Sequence, residues 1–362
     1  MPQISRHPLA TPRVPRIAAS IAALAAVVAL VTACGASGSA ATPTESPSAS
    51  AAQLTALDQQ AFVGFPESWE VLPAFDSVWA SGFIGTMDDG TVTRIDPKTN
   101  EILASIKVSS GTDGLAASDE GVWVVDGAAH ALRMIDPATN KLTDRKIPIT
   151  DDGGKLVFAN GSLWHFGWDA LTRIDPATGK GEELTKLGAC DGGCGWAITP
   201  DAIFRTKDGT LTRWDLAGTT LQATNATDVA GKAIGVSGDA LYTGSSTGSV
   251  AILDPKTLTL RKAITAEPAL APDGGKWSLG NPDGGTIVAD GTGAWVRFSS
   301  SVIGHVDPSG SIKLYGPFPS EADGTSPFTV ADGSLWVTNE GAGSGGADGG
   351  KPGVYRVALP TP

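Results

Sequence analysis

Short hydrophobic runs, separated by polar turn residues, recur along the chain from about residue 61 to residue 359. In each repeat a hydrophobic–aromatic pair is followed by a Gly/Ser-rich stretch and an alternating run that typically ends in Ile-Asp-Pro. The aspartates of this phrase, spaced by 40, 39, 40, 39 and 53 residues, are Asp96, Asp136, Asp175, Asp215, Asp254 and Asp307. The aromatic anchor returns as Trp79, Trp123, Trp164, Phe204, Tyr242, Trp295 and Trp336. A unit of this length cannot bury its own apolar face, so its copies must stack on one another.

Each repeat divides into four short β-runs. In the second copy these runs begin at Leu115, Val122, Ala131 and Lys141, and clusters of Gly, Pro, Asn and Asp separate them. Short strands punctuated in this way predict an all-β protein. Four antiparallel strands in about 40 residues are the dimensions of a propeller blade, and radial closure hides the sheet edges. The sequence therefore predicts a seven-bladed β-propeller over residues 54–362.

The two ends of the repeat region are expected to close the ring together. The chain has seven aromatic anchors but six aspartate anchors, so the last blade is expected to lack its outer strand. We predict that Ala61–Phe65 supplies this strand from the N-terminal side. The second-strand aromatics are expected to fill the wedges between blades. The Asp-Pro pairs are expected to end the third strands, because Pro cannot donate to a ladder and Asp bonds back to turn amides.

The first 33 residues have the pattern of an export signal. They are basic, and the apolar run Ile17–Val31 is too short for the hydrocarbon core of about 30 Å. The phrase Leu30-Val-Thr-Ala-Cys34 resembles the bacterial lipobox. This resemblance implies cleavage before Cys34 and lipidation of that residue by acyl chains such as palmitate, and it places the protein outside the cytoplasm, anchored to the bacterial cell membrane. The alternative is an ordinary secretory signal followed by a chance cysteine.

Residues 34–53 are rich in Ser, Ala and Pro and predict a flexible tether between the membrane and the propeller. The formal net charge of the whole chain is −12. The signal contains three arginines and no acidic residue, so its removal makes the charge −15. This acidic balance argues against nucleic acid as a partner.

Two further cysteines, Cys190 and Cys194, lie in the turn Cys-Asp-Gly-Gly-Cys. An oxidising compartment and two flexible glycines predict a local disulfide. A metal or redox site is the alternative. Zinc requires about four ligands, and no histidine or further cysteine lies nearby in the sequence.

Several repeats resemble known propeller families. The segments are Thr93-Arg-Ile-Asp-Pro-Lys-Thr-Asn, Met134-Ile-Asp-Pro-Ala-Thr-Asn and Thr172-Arg-Ile-Asp-Pro-Ala-Thr-Gly, which look like the YVTN-type repeats of surface propellers. Together with Ile303-Gly-His-Val-Asp-Pro-Ser-Gly they are similar to the virginiamycin B (streptogramin) lyase-like seven-bladed propellers. The resemblance implies the fold. It leaves the function open, because this fold family includes lyases, sensors, adhesins and scaffolds.

The lyase resemblance implies paired histidines and glutamates with a magnesium ion. A Trp-Phe-Thr-Glu phrase is typical of that family, but no repeat tryptophan here is followed by it. The histidines His130, His165 and His305 lie in different repeats. A general base needs an orienting partner and an acid opposite it, and the sequence does not assemble this set. We therefore predict no catalytic residue, no metal ligand and no cofactor.

The loops that join second to third strands, and outer strands to the next blade, are expected to share one face of the propeller. Loops on a rigid scaffold commonly carry binding residues. The ligand-binding candidates on this face are Phe83, His165, Trp168, Trp196, Lys276, Trp277, Arg297 and Asn339. The leading hypothesis is a non-catalytic binding or scaffold module for a protein, peptide or glycan. The alternative is a streptogramin lyase-like or other metal-assisted enzyme at the channel mouth, for which His165 would converge with a carboxylate such as Asp126 or Glu340.

Overall fold

The computed structural model describes residues 54–64, 68–83, 89–109, 114–151, 153–167, 170–186, 194–207, 209–216, 223–227, 233–244, 249–265, 287–298, 302–316, 327–339 and 352–359. Over these residues the chain forms seven four-stranded antiparallel sheets, arranged as the blades of a propeller. The predicted all-β, seven-bladed fold is confirmed. The described part contains no helix long and apolar enough to cross a membrane.

The strands of the described residues, numbered in chain order, are β1 (Asp58–Gly64), β2 (Ser68–Ala74), β3 (Ser77–Phe83), β4 (Gly90–Ile95), β5 (Ile102–Lys107), β6 (Leu115–Ser118), β7 (Gly121–Asp126), β8 (Ala131–Asp136), β9 (Lys141–Pro148), β10 (Lys155–Ala159), β11 (Ser162–Phe166), β12 (Ala170–Ile174), β13 (Gly181–Lys186), β14 (Gly195–Ile198), β15 (Ala202–Lys207), β16 (Thr210–Asp215), β17 (Ala223–Thr227), β18 (Ala233–Ser237), β19 (Ala240–Gly244), β20 (Ser249–Leu253), β21 (Leu260–Thr265), β22 (Ile287–Ala289), β23 (Ala294–Arg297), β24 (Ile303–Val306), β25 (Ile312–Tyr315), β26 (Phe328–Ala331), β27 (Ser334–Asn339) and β28 (Gly353–Ala358). Blades one to six take four consecutive strands each, starting with β2–β5.

The seventh blade combines both ends of the propeller. Its strand order is β1-β28-β27-β26, so the strand from the N-terminal side is the outer strand. Asp58 lies opposite Ala358 and Gly64 opposite Gly353. The predicted closure is confirmed, with a strand that begins three residues before the predicted Ala61.

The aromatic anchors pack in the wedges between blades. Trp79 of blade one lies in one cluster with Leu115 and Val122 of blade two. Trp336 of blade seven closes the ring against Val78 of blade one. The indole N–H of Trp79 donates to the carbonyl of residue 74 at 3.0 Å, and Trp164 and Trp336 make the corresponding bond five residues back. The repeat tryptophans are therefore core residues, as predicted.

The Asp-Pro turns have the predicted side-chain-to-backbone bonds. Asp96 Oδ1 accepts hydrogen bonds from the backbone N–H groups of Lys98 at 2.7 Å and Thr99 at 3.2 Å. These bonds favour the charged carboxylate and lower the pKa of Asp96. At the corresponding turn of blade five, a hydrogen bond from Arg261 adds to the turn N–H groups and lowers the pKa of Asp254 to about 2.

An arginine on the third strand joins the first blade to the second. Arg94 lies directly across from Trp79 and stacks on its ring at 5.0 Å. Its Nε donates to Ser77 Oγ at 2.8 Å, and its Nη1 donates to Asn140 Oδ1 at 2.8 Å and to the Pro137 carbonyl at 2.5 Å. Asn140 and Pro137 belong to the Asp-Pro turn of blade two. We call this arrangement the arginine clamp.

The clamp recurs at the closure of the ring. Arg356 stacks on Trp336 at 5.5 Å and donates from Nε to Ser334 Oγ at 3.0 Å. Its Nη1 donates to Asn100 Oδ1 of blade one at 3.2 Å. At both places the asparagine of the Asp-Pro-x-Thr-Asn phrase thus accepts a hydrogen bond from the arginine of the preceding blade.

A short segment before β1 adds to the outer edge of blade six. Thr55 forms a parallel bridge with Tyr315 of β25. Its N–H donates to the carbonyl of Leu314 at 3.0 Å, and its carbonyl accepts from Gly316 N–H at 2.9 Å. Leu54 and Leu57 pack partly buried on either side. The outermost strand of blade six is therefore bridged by one residue, Thr55, from the segment before β1.

Candidate functional site

The two ends of the propeller differ in chemistry. The start of β3 lies beside the end of β4, where the Asp96 turn follows, because Val78 pairs with Ile95. The end of β3 lies beside the start of β4, because Phe83 pairs with Gly90. We call the end with the Asp-Pro turns the turn rim and the opposite end, where the second strands end, the second-strand rim. The ligand-binding candidates were predicted for the second-strand rim.

Every blade places a buried polar side chain at the second-strand rim. Each lies one to three residues after the aromatic anchor of its blade and is at most 3% exposed. The set comprises Ser81, Asp126, His165, Thr206, Thr243, Arg297 and Asn339. Burying polar groups costs free energy unless they are hydrogen-bonded. All seven blades therefore bury a polar residue towards this rim, although buried serines also lie at the turn-rim end of five blades, at Ser77, Ser118, Ser162, Ser237 and Ser334.

Asp126 ties blade two to the segment that follows blade one. Its carboxylate accepts a hydrogen bond from Ser109 Oγ and a second one, at 3.3 Å, from the backbone N–H of Ala129. Arg133 Nη1 lies 3.8 Å from the other carboxylate oxygen. These donors compensate the burial of the carboxylate. The partners of Asp126 thus lie in blade two and in the segment after blade one.

His165 is held as a neutral side chain. Its Nε2 lies 2.9 Å from the carbonyl oxygen of Gly153, and because a carbonyl only accepts, Nε2 must carry the proton. Burial lowers the pKa of His165, and the bond to Gly153 and the charge of Asp151 oppose this without reversing it. The imidazole is therefore uncharged at neutral pH and fastens the segment that leads into blade three.

The structure does not bring His165 and Asp126 together. His165 bonds to backbone, and Asp126 bonds to Ser109, Ala129 and Arg133. Glu340, the other carboxylate considered, lies outside the described residues. In the ranges that the structure describes, no group of three or more His, Cys, Asp or Glu side chains is placed to hold a metal ion.

The remaining candidates lie at different depths. Trp196 is 8% exposed and packs on Phe166 with ring centroids 4.7 Å apart, inside the wedge between blades three and four. This placement favours a core role. Arg297 ends β23 and Asn339 ends β27, both buried at the rim, and Phe83 ends β3. The predicted residues outside the described ranges are Cys34, Trp168, Cys190, Lys276 and Trp277.

Sequence reasoning missed the small hydroxyl residues of the rim. The hydroxyls of Ser68 and Ser81, on the first two strands of blade one, are buried and have no hydrogen-bond partner in the described structure. Ser68 pairs with Gly82, the residue next to Ser81. Serines are frequent in this chain, so only the strand register singles out this pair. Buried polar atoms without a partner are rare in folded proteins, and each calls for an explanation such as a bound water or a docked group. The hydroxyl of Tyr242 in blade five is buried in the same way.

Comparisons with known proteins define the fold alone. Neither protein-family models nor curated proteins match the chain. Among solved structures it is similar to the computationally designed protein Ika8, with a TM-score of 0.50 and 15% identity over 84% of this chain and 100% of that one. It is similar to U3-55K, with a TM-score of 0.57 and 12% identity over 82% of this chain and 100% of that one. It is also similar to BamB from Moraxella catarrhalis, with a TM-score of 0.51 and 14% identity over 85% of this chain and 98% of that one. The resemblance to YVTN and virginiamycin B lyase-like propellers stays a prediction.

Proposed function

We propose that this protein is a lipid-anchored, extracytoplasmic binding module that holds a protein, peptide or glycan ligand at its second-strand rim. The observation that carries the proposal is the buried polar residue within the last three residues of every second strand, together with the unsatisfied hydroxyls of Ser68 and Ser81. At the turn rim, the carboxylates of Asp96, Asp136, Asp175 and Asp254 accept hydrogen bonds from their own turns. Polar groups converging at one end of a rigid scaffold suit recognition.

Binding rather than catalysis is supported by His165. A general base must reach a substrate proton and be oriented by a partner. The described hydrogen bond of His165 goes from Nε2 to a backbone carbonyl, and its nearest charged influence is Asp151. This bonding suits a residue that fixes the rim in place.

Capture experiments test the rim. The immobilised protein should retain a ligand from cell-surface extract or from a glycan array. Combined Ser68→Ala and Ser81→Ala substitutions should lower capture several-fold without loss of stability, because they remove hydroxyls that bond to no described group. Lys256→Ala, on an exposed turn at the turn rim, is the control. Capture that depends on Lys256 and not on the serines would contradict a site at this rim.

The proposed anchor is Cys34. Its replacement by Ala should move the protein from the detergent phase to the aqueous phase in a partition assay, because no acyl chains are attached. Cys194→Ala, which leaves the lipobox intact, should remain in the detergent phase. A Cys34→Ala protein that still sediments with membranes would contradict lipidation.

The proposed disulfide links Cys190 to Cys194. It is supported by Cys194, which is disulfide-bonded, while Cys190 lies outside the described residues. Mass spectrometry of unreduced protein should find the peptide carrying both cysteines lighter by two hydrogens. Two thiols that react with an alkylating reagent in native protein would contradict the link. The loop is short, so we expect a modest contribution to stability.

A further inference from the structure

The turn between the first two strands of blade three consists of Asn160 and Gly161, the only Asn-Gly pair in the chain. Ala159 pairs with Ser162 across this two-residue turn, and both turn residues have positive φ values, 53° and 69°. Asn-Gly is preferred in such turns, because both residues adopt the left-handed conformation at low cost. The turn geometry therefore explains why these two residues stand here.

Asn160 connects the turn rim of blade three to blade four. Its Nδ2 donates to the carbonyl of Thr199 at 3.4 Å and to the carbonyl of Pro200 at 3.2 Å. Asn160 and Gly161 are both exposed. Apart from chain neighbours, no heavy atom lies within 4 Å of the place that a Cβ on Gly161 would occupy. Water can therefore reach the Asn160 amide, and the Gly161 backbone has room to move.

An exposed Asn-Gly pair can cyclise, and asparagine is one of the chemically labile residues of proteins. The backbone nitrogen of Gly161 gives its proton to hydroxide and attacks Cγ of Asn160. The new bond joins this nitrogen to Cγ, the bond from Cγ to Nδ2 breaks, and the amide leaves as ammonia after taking a proton from water. Water then opens the cyclic imide at either carbonyl and gives aspartate or isoaspartate. Glycine favours the attack, because it has no side chain in the way.

Blade seven shows that an aspartate is tolerated at this turn. Its corresponding turn reads Ala331-Asp-Gly-Ser, where blade three has Ala-Asn-Gly-Ser. The two turn residues of blade seven also have positive φ values, 48° and 65°. There Asp332 Oδ2 lies 3.6 Å from Arg356 Nη2 of the same blade. The product of deamidation in blade three thus has a folded counterpart in the same molecule.

Arg173 is the blade-three counterpart of Arg356. Each arginine lies opposite the anchor tryptophan of its blade and donates from Nε at 3.0 Å to the serine that follows the turn. A carboxylate at position 160 can therefore approach Arg173 as Asp332 approaches Arg356. It cannot donate to the two carbonyls of blade four, because an ionised carboxylate only accepts hydrogen bonds.

We propose that Asn160 is a site of spontaneous deamidation, and that this modification exchanges its hydrogen bonds to blade four for an ion pair with Arg173 in its own blade. The modified chain stays folded, and the turn rim of blade three is released from blade four. The proposal does not depend on ligand binding at the second-strand rim.

Peptide mapping of the folded full chain, after incubation in mildly alkaline buffer, tests the modification. Asn100 and Asn140 are the internal controls, because they also have positive φ values, 63° and 56°, but are followed by Glu101 and Lys141. The peptide with Asn160 should convert several-fold faster than the control peptides and should contain isoaspartate, which direct hydrolysis of the amide does not produce. Equal conversion of the three asparagines, or conversion of Asn160 only in urea-unfolded chain, would overturn the proposal.

The variant Asp332→Asn places the same four residues at the turn of blade seven and is the matched control for the turn itself. It should gain a second deamidation site that converts about as fast as Asn160. Conversion at position 332 without conversion of Asn160 would mean that the bonds to Thr199 and Pro200 protect the amide, and the proposal would be wrong.

The variant Asn160→Asp tests the change of partner. The backbone N–H of Thr199 donates to the Ala202 carbonyl at 2.8 Å within the turn of blade four that Asn160 contacts. Hydrogen exchange at this N–H should be several-fold faster in Asn160→Asp, because the turn has lost its connection to blade three. Asp332→Asn should leave this exchange unchanged. The same exchange rate in Asn160→Asp and in the unmodified chain would contradict the release from blade four.

Discussion

At the scale of single residues, His165 makes stability depend on pH. Burial lowers its pKa below the unperturbed 6.5, so the unfolded chain takes up a proton at a higher pH than the folded chain does. As pH falls below about 6.5 the unfolded state binds more protons, and the free energy of unfolding decreases by up to about 1.4 kcal/mol per pH unit. The contribution is fully present above pH 6.5 and is lost as the pH falls through the lowered pKa of the folded state.

The variant His165→Gln should flatten this dependence, because a glutamine amide can still donate to the Gly153 carbonyl but does not titrate. The measurement is urea unfolding at several pH values between 7.5 and 5. His130→Asn is the control, since His130 is exposed and its φ of 44° is one that asparagine tolerates. An unchanged slope in His165→Gln would show that another group causes the pH dependence.

At the scale of elements, the arginine clamp is expected to hold blade one against blade two. Replacing Arg94 by Lys removes the planar fork that reaches both Ser77 and the turn of the next blade. We expect a loss of about 2 kcal/mol in the free energy of unfolding, from the charged hydrogen bonds and the stacking on Trp79.

The matched control is Arg173→Lys in blade three. Arg173 stacks on Trp164 at 5.6 Å and donates to Ser162 Oγ at 3.0 Å, but blade four has no asparagine at its Asp215 turn to receive it. The loss in the free energy of unfolding should be clearly smaller for Arg173→Lys than for Arg94→Lys, with both measured by urea unfolding. Similar losses for both variants would indicate that the bonds between blades contribute nothing measurable.

The elements also explain which features the sequence could predict. The strand order and the core position of Trp79 follow from spacing, because a repeat of about 40 residues with one anchor has few ways to pack. Arg94 was not recognised, because its role depends on lying opposite Trp79 in one blade and beside Asn140 in the next. Ser68 and Ser81 were missed for the same reason. Such convergence is a property of register and blade stacking, which a single repeat does not reveal.

At the scale of the whole molecule, the ring should depend on its outer strand in blade seven. Deleting residues 58–64 removes Phe62, which packs on Tyr355 at 4.8 Å, and Val63, which is 5% exposed in the wedge between blades seven and one. We expect a loss of at least about 5 kcal/mol, typical of two large apolar truncations in a core, and exposure of the β28 edge.

Thermal unfolding and limited proteolysis measure this loss. Deleting residues 40–50, within the predicted tether, is the control and should leave the midpoint unchanged. An intact cooperative transition after removal of β1 would mean that the closure contributes little to the ring.

The same closure means that the seventh blade can be completed only at the end of protein synthesis. A polypeptide is made from its N-terminus, so β1 exists long before β28, its neighbour in the seventh blade. Until Gly353 has been added, Phe62 and Val63 have no strand to dock on. A chain interrupted before that point keeps the apolar side chains of Phe62 and Val63 exposed, where proteases and chaperones can recognise them. The joint between the two ends therefore forms only after β28 has been synthesised.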